Sequence, residues 1–236
     1  MHPVVAQLRA EPSSRSFWIT GAAALSTAFV FDERLRVMAE RHQSRALARV
    51  ARDVDPLGRA RYLVPALVGA YAVPRLAGRR GVANAVLRIG LGYAAADGLE
   101  SVLKPSVGRH RPDSTGRPLR FRPLSGADAW HSFPSAHVAH AFAIAAGVSD
   151  EWRDPRVAVL AYGTATMVGL QRVYTRAHWT TDVVGSALLT IAASHTVTRW
   201  LRRRRMPASR REAPPPASAP NDVSRPTVPE ASARTP

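Results

Sequence analysis

The chain contains no cysteine and only one lysine. Without cysteine there are no disulfides and no thiolate metal site, which excludes the common structural zinc patterns. No His-Glu-x-x-His segment occurs, so the zinc-protease helix is excluded as well. The lack of cysteine assigns no compartment; it is compatible with a bacterial envelope protein. Acidic residues are scarce, 17 against 33 basic ones, giving a formal net charge of +16. Such a balance calls for anionic partners: nucleic acid, anionic lipid headgroups or a phosphorylated substrate. Uninterrupted apolar runs of roughly 20 residues, the length a spanning helix needs, are also missing. The mean hydropathy is only -0.14. A cleavable signal peptide is not expected. The apolar stretch Phe17–Phe31 runs straight into Asp32-Glu33-Arg34 without a small-x-small boundary, and reads as a retained first helix.

What is present is patterned. Six apolar stretches run Phe17–Phe31, Tyr62–Pro74, Val82–Leu103, Val138–Ser149, Val157–Leu170 and Val183–Thr198. They are rich in Ala, Gly, Val and Leu, a composition that suits close helix packing inside a bilayer. Arg88, Asp97 and Glu100 interrupt the third and must face the bundle or its ends. The expectation is an all-α protein, a six-helix transmembrane bundle; a soluble helical bundle is the alternative. Residues 1–16 form an N-terminal segment, 17–203 the six-span domain and 204–236 a disordered Pro/Ala/Arg-rich tail. From Met206 onward the chain holds eight of its 19 prolines and almost no large apolar residue, too little to fold.

Charge placement suggests an orientation. Arg202 to Arg205 follow the last stretch directly, with Trp200 beside them, which marks a cytoplasmic end. The arginine-rich loop from Asp32 to Arg61 would then lie outside, against that rule. It reads either as an amphipathic surface helix, with Leu35, Met38, Leu47, Val50 and Val54 on its apolar side, or as a solvated charged helix.

The surviving lysine carries weight because 32 of the 33 basic residues are arginine. A compact ammonium on a flexible stem does what a planar guanidinium does not. Lys104 is followed by six residues and then Arg111-Pro112. Pro134-Ser135-Ala136-His137 comes next, and then Arg172, five residues, His178, three residues and Asp182. Phosphoryl transfer gathers negative charge on three equatorial oxygens while two apical groups stay in line. Lys104, Arg111 and Arg172 supply fixed positive charge, the arginines as bidentate forks. Ser135 and Ala136 stand at the start of the fourth apolar stretch, where free backbone N–H groups favour an anion. Two histidines remain for the apical positions. His178 and Asp182 are four apart, so on a helix Asp182 accepts from one ring nitrogen and leaves the other as nucleophile. His137 then protonates the leaving oxygen and activates water. Each piece alone is ordinary: a His-x-x-x-Asp pair, an Arg-Pro turn, a Pro-Ser helix start. Their joint order is what points to phosphate chemistry.

The three blocks, KPSVGRHRP, PSAH and QRVYTRAHWTTD, resemble the signature of the type-2 phosphatidic acid phosphatase superfamily, K-x(6)-R-P, P-S-G-H and S-R-x(5)-H-x(3)-D. All spacings inside the blocks match. Ala136 stands for the usual Gly and Gln171 for the usual Ser; Gln171 still donates a hydrogen bond through a longer arm. The resemblance implies that His178 is the nucleophile, forming a phosphohistidine, and that His137 is the acid/base. It implies no cofactor and no metal, since the cations are built in. The substrate class it implies is a lipid phosphate or diphosphate: phosphatidic acid, phosphatidylglycerophosphate or undecaprenyl diphosphate. With six spans the blocks reach one face of a cell (inner) membrane, the extracytoplasmic one. Alternatives are a vanadate-dependent haloperoxidase or soluble acid phosphatase of the same superfamily, and a basic nucleic-acid-binding protein. The last is disfavoured because the charge is scattered rather than gathered in a stripe, so no nucleic-acid partner is expected.

Overall fold

The structure, a computed structural model, describes residues 15–112 and 117–204. The expected 1–16 segment falls mostly, and the 204–236 tail almost wholly, outside the described residues. Seven α-helices are seen among them: α1 Arg15–Arg41, α2 Arg45–Val54, α3 Ala60–Leu76, α4 Arg80–Val107, α5 Ala136–Glu151, α6 Pro155–Tyr174 and α7 Thr180–Arg204. Short 3₁₀ turns sit at Asp55–Gly58 and Asp128–Trp130. The only β feature among the described residues is an isolated antiparallel bridge between Arg109 and Phe121. The six apolar stretches fall on α1, α3, α4, α5, α6 and α7, so the seventh helix is the short α2 of the arginine-rich loop.

That loop is the main correction. Asp32-Glu33-Arg34 does not end the first helix, which continues to Arg41. Asp32 stays inside the helix because its carboxylate is buried and bonded to distant groups, described below. Leu35 and Met38 therefore belong to α1. Only Ala51 and Val54 of α2 are buried; Leu47 and Val50 are exposed. Ser44 starts α2 by accepting the Leu47 N–H at 3.2 Å, an N-cap.

Helix α5 lies at the centre, packed against α4, α6 and α7, and α7 also packs on α4 and α1. Its buried face is small: Val138, Ala139, Ala141, Ala143, Ala145, Ala146 and Gly147. Short side chains let backbones approach closely. Large apolar side chains lie outside instead. Trp18, Ile19, Phe29 and Val30 of α1, Val64, Val68 and Val73 of α3, and Leu160, Met167 and Leu170 of α6 are all exposed, and α3 has no buried residue. This inverts the arrangement of a water-soluble domain. By length and hydropathy, however, no helix among the described residues is long and apolar enough to cross a membrane. Inward Ala, Ser, Thr, His and charged positions dilute the hydropathy of α4, α5 and α7.

Two glycines shape the functional end. Gly108 closes α4 at φ 58°, its N–H bonded to Lys104 O, and turns the chain back over the bundle. A Cβ at Gly58 would lie 2.7 Å from His137 Cβ, so the turn between α2 and α3 presses against the start of α5.

Candidate active site

The C-termini of α4 and α6, the N-termini of α5 and α7, and the turn Asp55–Gly58 meet at one end of the bundle. They carry the three sequence blocks. Lys104 sits in the last turn of α4, ion-paired with Glu100 one turn back. After the Gly108 turn, Arg111 is held by the Asp128 and Ala177 carbonyls at 3.0 and 3.2 Å and by the Asp128 carboxylate at 3.1 Å. Arg172, in the last turn of α6, donates to Gln171 Oε1 and to Asp55 Oδ1. Gln171 thus acts as an acceptor that orients Arg172, not as the donor expected from the sequence.

His178 is buried and precedes α7. Its Nδ1 lies 2.6 Å from the Ser132 carbonyl. A carbonyl only accepts, so the proton resides on Nδ1 and Nε2 keeps its lone pair. The same Nδ1 is 3.9 Å from Asp182 Oδ2, beyond hydrogen-bond range. The direct His178–Asp182 bond expected from the four-residue spacing is therefore absent, because His178 stands before the helix rather than on it. Asp182 acts at one remove. It accepts from Ser132 Oγ, from the Trp179 N–H at 2.9 Å and from Arg109 at 2.6 Å. Ser132 is thereby held by its hydroxyl on one side and offers its carbonyl to His178 on the other.

Burial pushes the His178 ring well below its ordinary pKa, and the charges of Arg111, Lys104 and Arg172 push it the same way; the Ser132 hydrogen bond opposes them. All three cations named from the sequence thus act on this one ring. Asp55 is the reverse case. Burial would raise its carboxyl, but the Arg59 hydrogen bond and the Arg172 charge hold it below the usual range.

At the start of α5, Ser135 is the N-cap residue, but its hydroxyl makes no capping bond. Ser135 Oγ is buried without a partner, while its N–H donates to Ser186 Oγ at 2.7 Å. Ala136 opens the helix and is half-buried. His137 Nε2 is also buried without a hydrogen bond, 3.5 Å from Asp55 Oδ1. An unpartnered buried hydroxyl and ring nitrogen at a helix start, beside paired cations, form a setting that suits an anion.

Sequence reasoning missed the support beneath this array. Arg109 is buried and bridges three elements: Asp182 Oδ1 at 2.6 Å, Asp32 Oδ2 at 2.9 Å and the Pro118 carbonyl at 3.1 Å. Asp32 also accepts the Thr181 N–H at 2.9 Å. Arg109 lies inside the first block, between Lys104 and Arg111, and no spacing within the block singles it out. Asp32, a lone acid closing an apolar stretch, was the available signal. Asp55 and Ser132 had none. Trp179 Nε1 donates to the His110 carbonyl at 2.8 Å, so the first and third blocks are stitched together through backbone as well.

A polar cleft of about 390 Å³ opens beside Arg172, between α2 and α6. A larger apolar groove of about 580 Å³, lined by Leu25, Phe29, Val30, Val107, Phe121 and Phe133, runs past Arg109 and Thr181.

A family model, the PAP2 superfamily, matches residues 85–206, just over half of the chain and all three blocks. The protein belongs to the PAP2 superfamily. Over 103 residues it is 35% identical to lipid A 1-phosphatase of Porphyromonas gingivalis, a match covering 43% of this chain and 20% of that protein. The chain therefore spans about a fifth of the length of that curated relative. Two solved structures share the fold. The transmembrane PAP2-type phosphatidylglycerolphosphate phosphatase of Bacillus subtilis aligns with a TM-score of 0.63 at 22% identity, over 81% of this chain and 96% of that one. Aquifex aeolicus LpxE aligns with a TM-score of 0.53 at 21% identity, over 72% and 95%.

Proposed function

We propose that this protein is a membrane lipid phosphatase that hydrolyses a phosphate monoester or diphosphate of a lipid through a phosphohistidine. The observation that carries the reading is the His178 ring. Its Nδ1 is committed to the Ser132 carbonyl, leaving Nε2 for attack, and three cations of the family blocks bear on it. In the first step Nε2 attacks phosphorus, the bond to the leaving oxygen breaks, and His137 delivers a proton to that oxygen. In the second, His137 takes a proton from water, whose oxygen displaces the His178 nitrogen and releases phosphate. Asp55 Oδ1 stands 3.5 Å from His137 Nε2, beside the nitrogen that exchanges the proton. Lys104, Arg111 and Arg172 match charge on the equatorial oxygens, with Ser135 Oγ and the first N–H groups of α5 beside them. Asp182 is a positioning residue working through Ser132.

The lipid part of the reading is supported by the outward-facing apolar side chains of α1, α3 and α6 and by the apolar groove next to the site. Two of the relatives are named for lipid A and for phosphatidylglycerolphosphate; phosphatidic acid, phosphatidylglycerophosphate and undecaprenyl diphosphate form the test panel. Detergent-purified protein should release phosphate from at least one of them with EDTA present. His178→Ala and His137→Ala should each lower that release by several orders of magnitude while the helical content is kept. Near-normal turnover in either variant refutes these roles, and loss of activity in EDTA that a divalent ion restores refutes catalysis by built-in cations alone.

A further inference from the structure

The opposite end of the bundle holds a second cluster that the catalytic reading does not use. A cavity of about 210 Å³ is lined by Ser149, Asp150, Arg153, His195, Thr198, Arg199 and Arg202. Helix α5 connects the two ends. His137 and Asp150 are thirteen residues apart on it, which at 1.5 Å per residue is about 20 Å. Asp182 and His195 on α7 are separated in the same way.

Three features set this cavity apart from an ordinary surface dent. Its walls carry three guanidinium groups, Arg153, Arg199 and Arg202, against one lining carboxylate, Asp150. That carboxylate is already engaged, since His195 Nδ1 lies 2.7 Å from Asp150 Oδ2. The third feature is decisive. His195 Nε2, Thr198 Oγ1 and Arg202 Nε are all buried with no hydrogen-bond partner, on residues that line the cavity. His195 and Thr198 are more than nine-tenths buried as whole residues. Buried polar atoms left unpaired are costly and uncommon, and three on residues that form the wall of one small basic cavity indicate groups that pair when a ligand enters.

The arginine side chains are not loosely placed. Arg202 donates to the Asp150 carbonyl at 2.7 Å and contacts Glu151 at 3.0 Å, while Glu151 is held by Arg88 from α4. The wall is therefore pre-organised from α4, α5 and α7. The donors available, guanidinium N–H groups and the Thr198 hydroxyl, suit an oxyanion with several acceptor oxygens, while His195 Nε2, its Nδ1–H given to Asp150, accepts from a protonated phosphate oxygen. The volume is below the roughly 300 Å³ at which sites for drug-sized ligands begin, so it admits a headgroup-sized anion.

We propose that this cavity is a second, non-catalytic binding site for a phosphate group, at the end of the bundle away from His178. The phosphate belongs either to a free ion or to the headgroup of an anionic lipid. The site stands on its own observations and does not depend on the catalytic assignment.

The test uses the full chain. In detergent, titration with inorganic phosphate is compared between wild type, Thr198→Val and Arg153→Gln. Thr198→Val removes a hydroxyl that is unpartnered in the ligand-free protein and keeps the shape, so the variant should fold normally. Arg153 lies on the exposed rim, which makes Arg153→Gln the safeguard if the buried change disturbs packing. Each should weaken one class of phosphate binding about tenfold and leave lipid-phosphate turnover unchanged. In parallel, unfolding midpoints are measured in phosphatidylcholine bilayer discs with and without phosphatidylglycerol. A rise with phosphatidylglycerol in wild type, lost in both variants, identifies a lipid headgroup. A variant-sensitive response to inorganic phosphate with no such rise identifies a free ion. Isotherms and midpoints that are identical in wild type and both variants overturn the proposal.

Discussion

His178, the nucleophile proposed above, has neighbours that keep its ring neutral. Burial and the charges of Arg111, Lys104 and Arg172 all depress its pKa. A group whose pKa is lowered loses its proton at lower pH, so the neutral, attacking form persists into acid. The loss of kcat/KM that reports protonation of His178 should therefore fall clearly below the ordinary histidine value of about 6.5. Lys104→Arg, which keeps the charge, should leave that limb low, whereas neutralising Arg111 should move it upward. A pH profile whose His178 limb sits at or above 6.5 in wild type argues against this electrostatic account. Lys104→Arg keeps the charge yet should lose most activity, since Lys104 is confined by Glu100 and a forked guanidinium does not fit where a point donor stands. Full activity in that variant would make the lone lysine an accident of composition.

Elements meet at this end through backbone contacts that leave little room. Gly58, in the turn carrying Asp55, faces His137; a methyl group there would stand 2.7 Å from its Cβ and 3.0 Å from its Cα. Gly58→Ala should cost about 1–3 kcal/mol by overpacking and reduce turnover by displacing His137 and Asp55. Gly69 in α3 has nothing within 4 Å of such a methyl group, and Gly69→Ala should be neutral or stabilising. Thermal unfolding of both variants checks the contrast. Arg109 does for α1, α7 and the 117–132 connection what Gly58 does for the turn. Arg109→Ala would strand the buried carboxylates of Asp32 and Asp182, an effect of about 3–5 kcal/mol for a broken buried pair. Asp32→Asn in the same background should recover part of it, measured as a double-mutant cycle.

The molecule as a whole places small and polar side chains inside and large apolar ones outside, and that distribution bears on its surroundings. Leu119 lies on the catalytic end and Arg79 between α3 and α4 at the other; both are exposed. Single cysteines are informative because the chain has none. If the bundle spans a membrane with its catalytic end outward, Leu119→Cys should react with an impermeant maleimide in intact cells and Arg79→Cys only after permeabilisation. The reverse pattern would place the substrate in the inner leaflet. Recovery of the protein in the soluble fraction would end the membrane reading.

The sequence by itself determined the six long helices and the eight residues of the blocks, because both are written at short range. An apolar stretch needs only its own composition to be seen, and K-x(6)-R-P or R-x(5)-H-x(3)-D keeps its spacing within one helix end and the loop beside it. Tertiary structure alone decided how those residues are held. Asp32 reaches Thr181 and Arg109, Asp55 reaches Arg172 and His137, and Ser132 reaches His178 and Asp182. These partners lie tens of residues or more than a hundred apart, and no local pattern links them. The His178–Asp182 spacing even suggested a bond that does not form, since a four-residue interval means a shared face only where both residues are already helical, and α7 begins after His178.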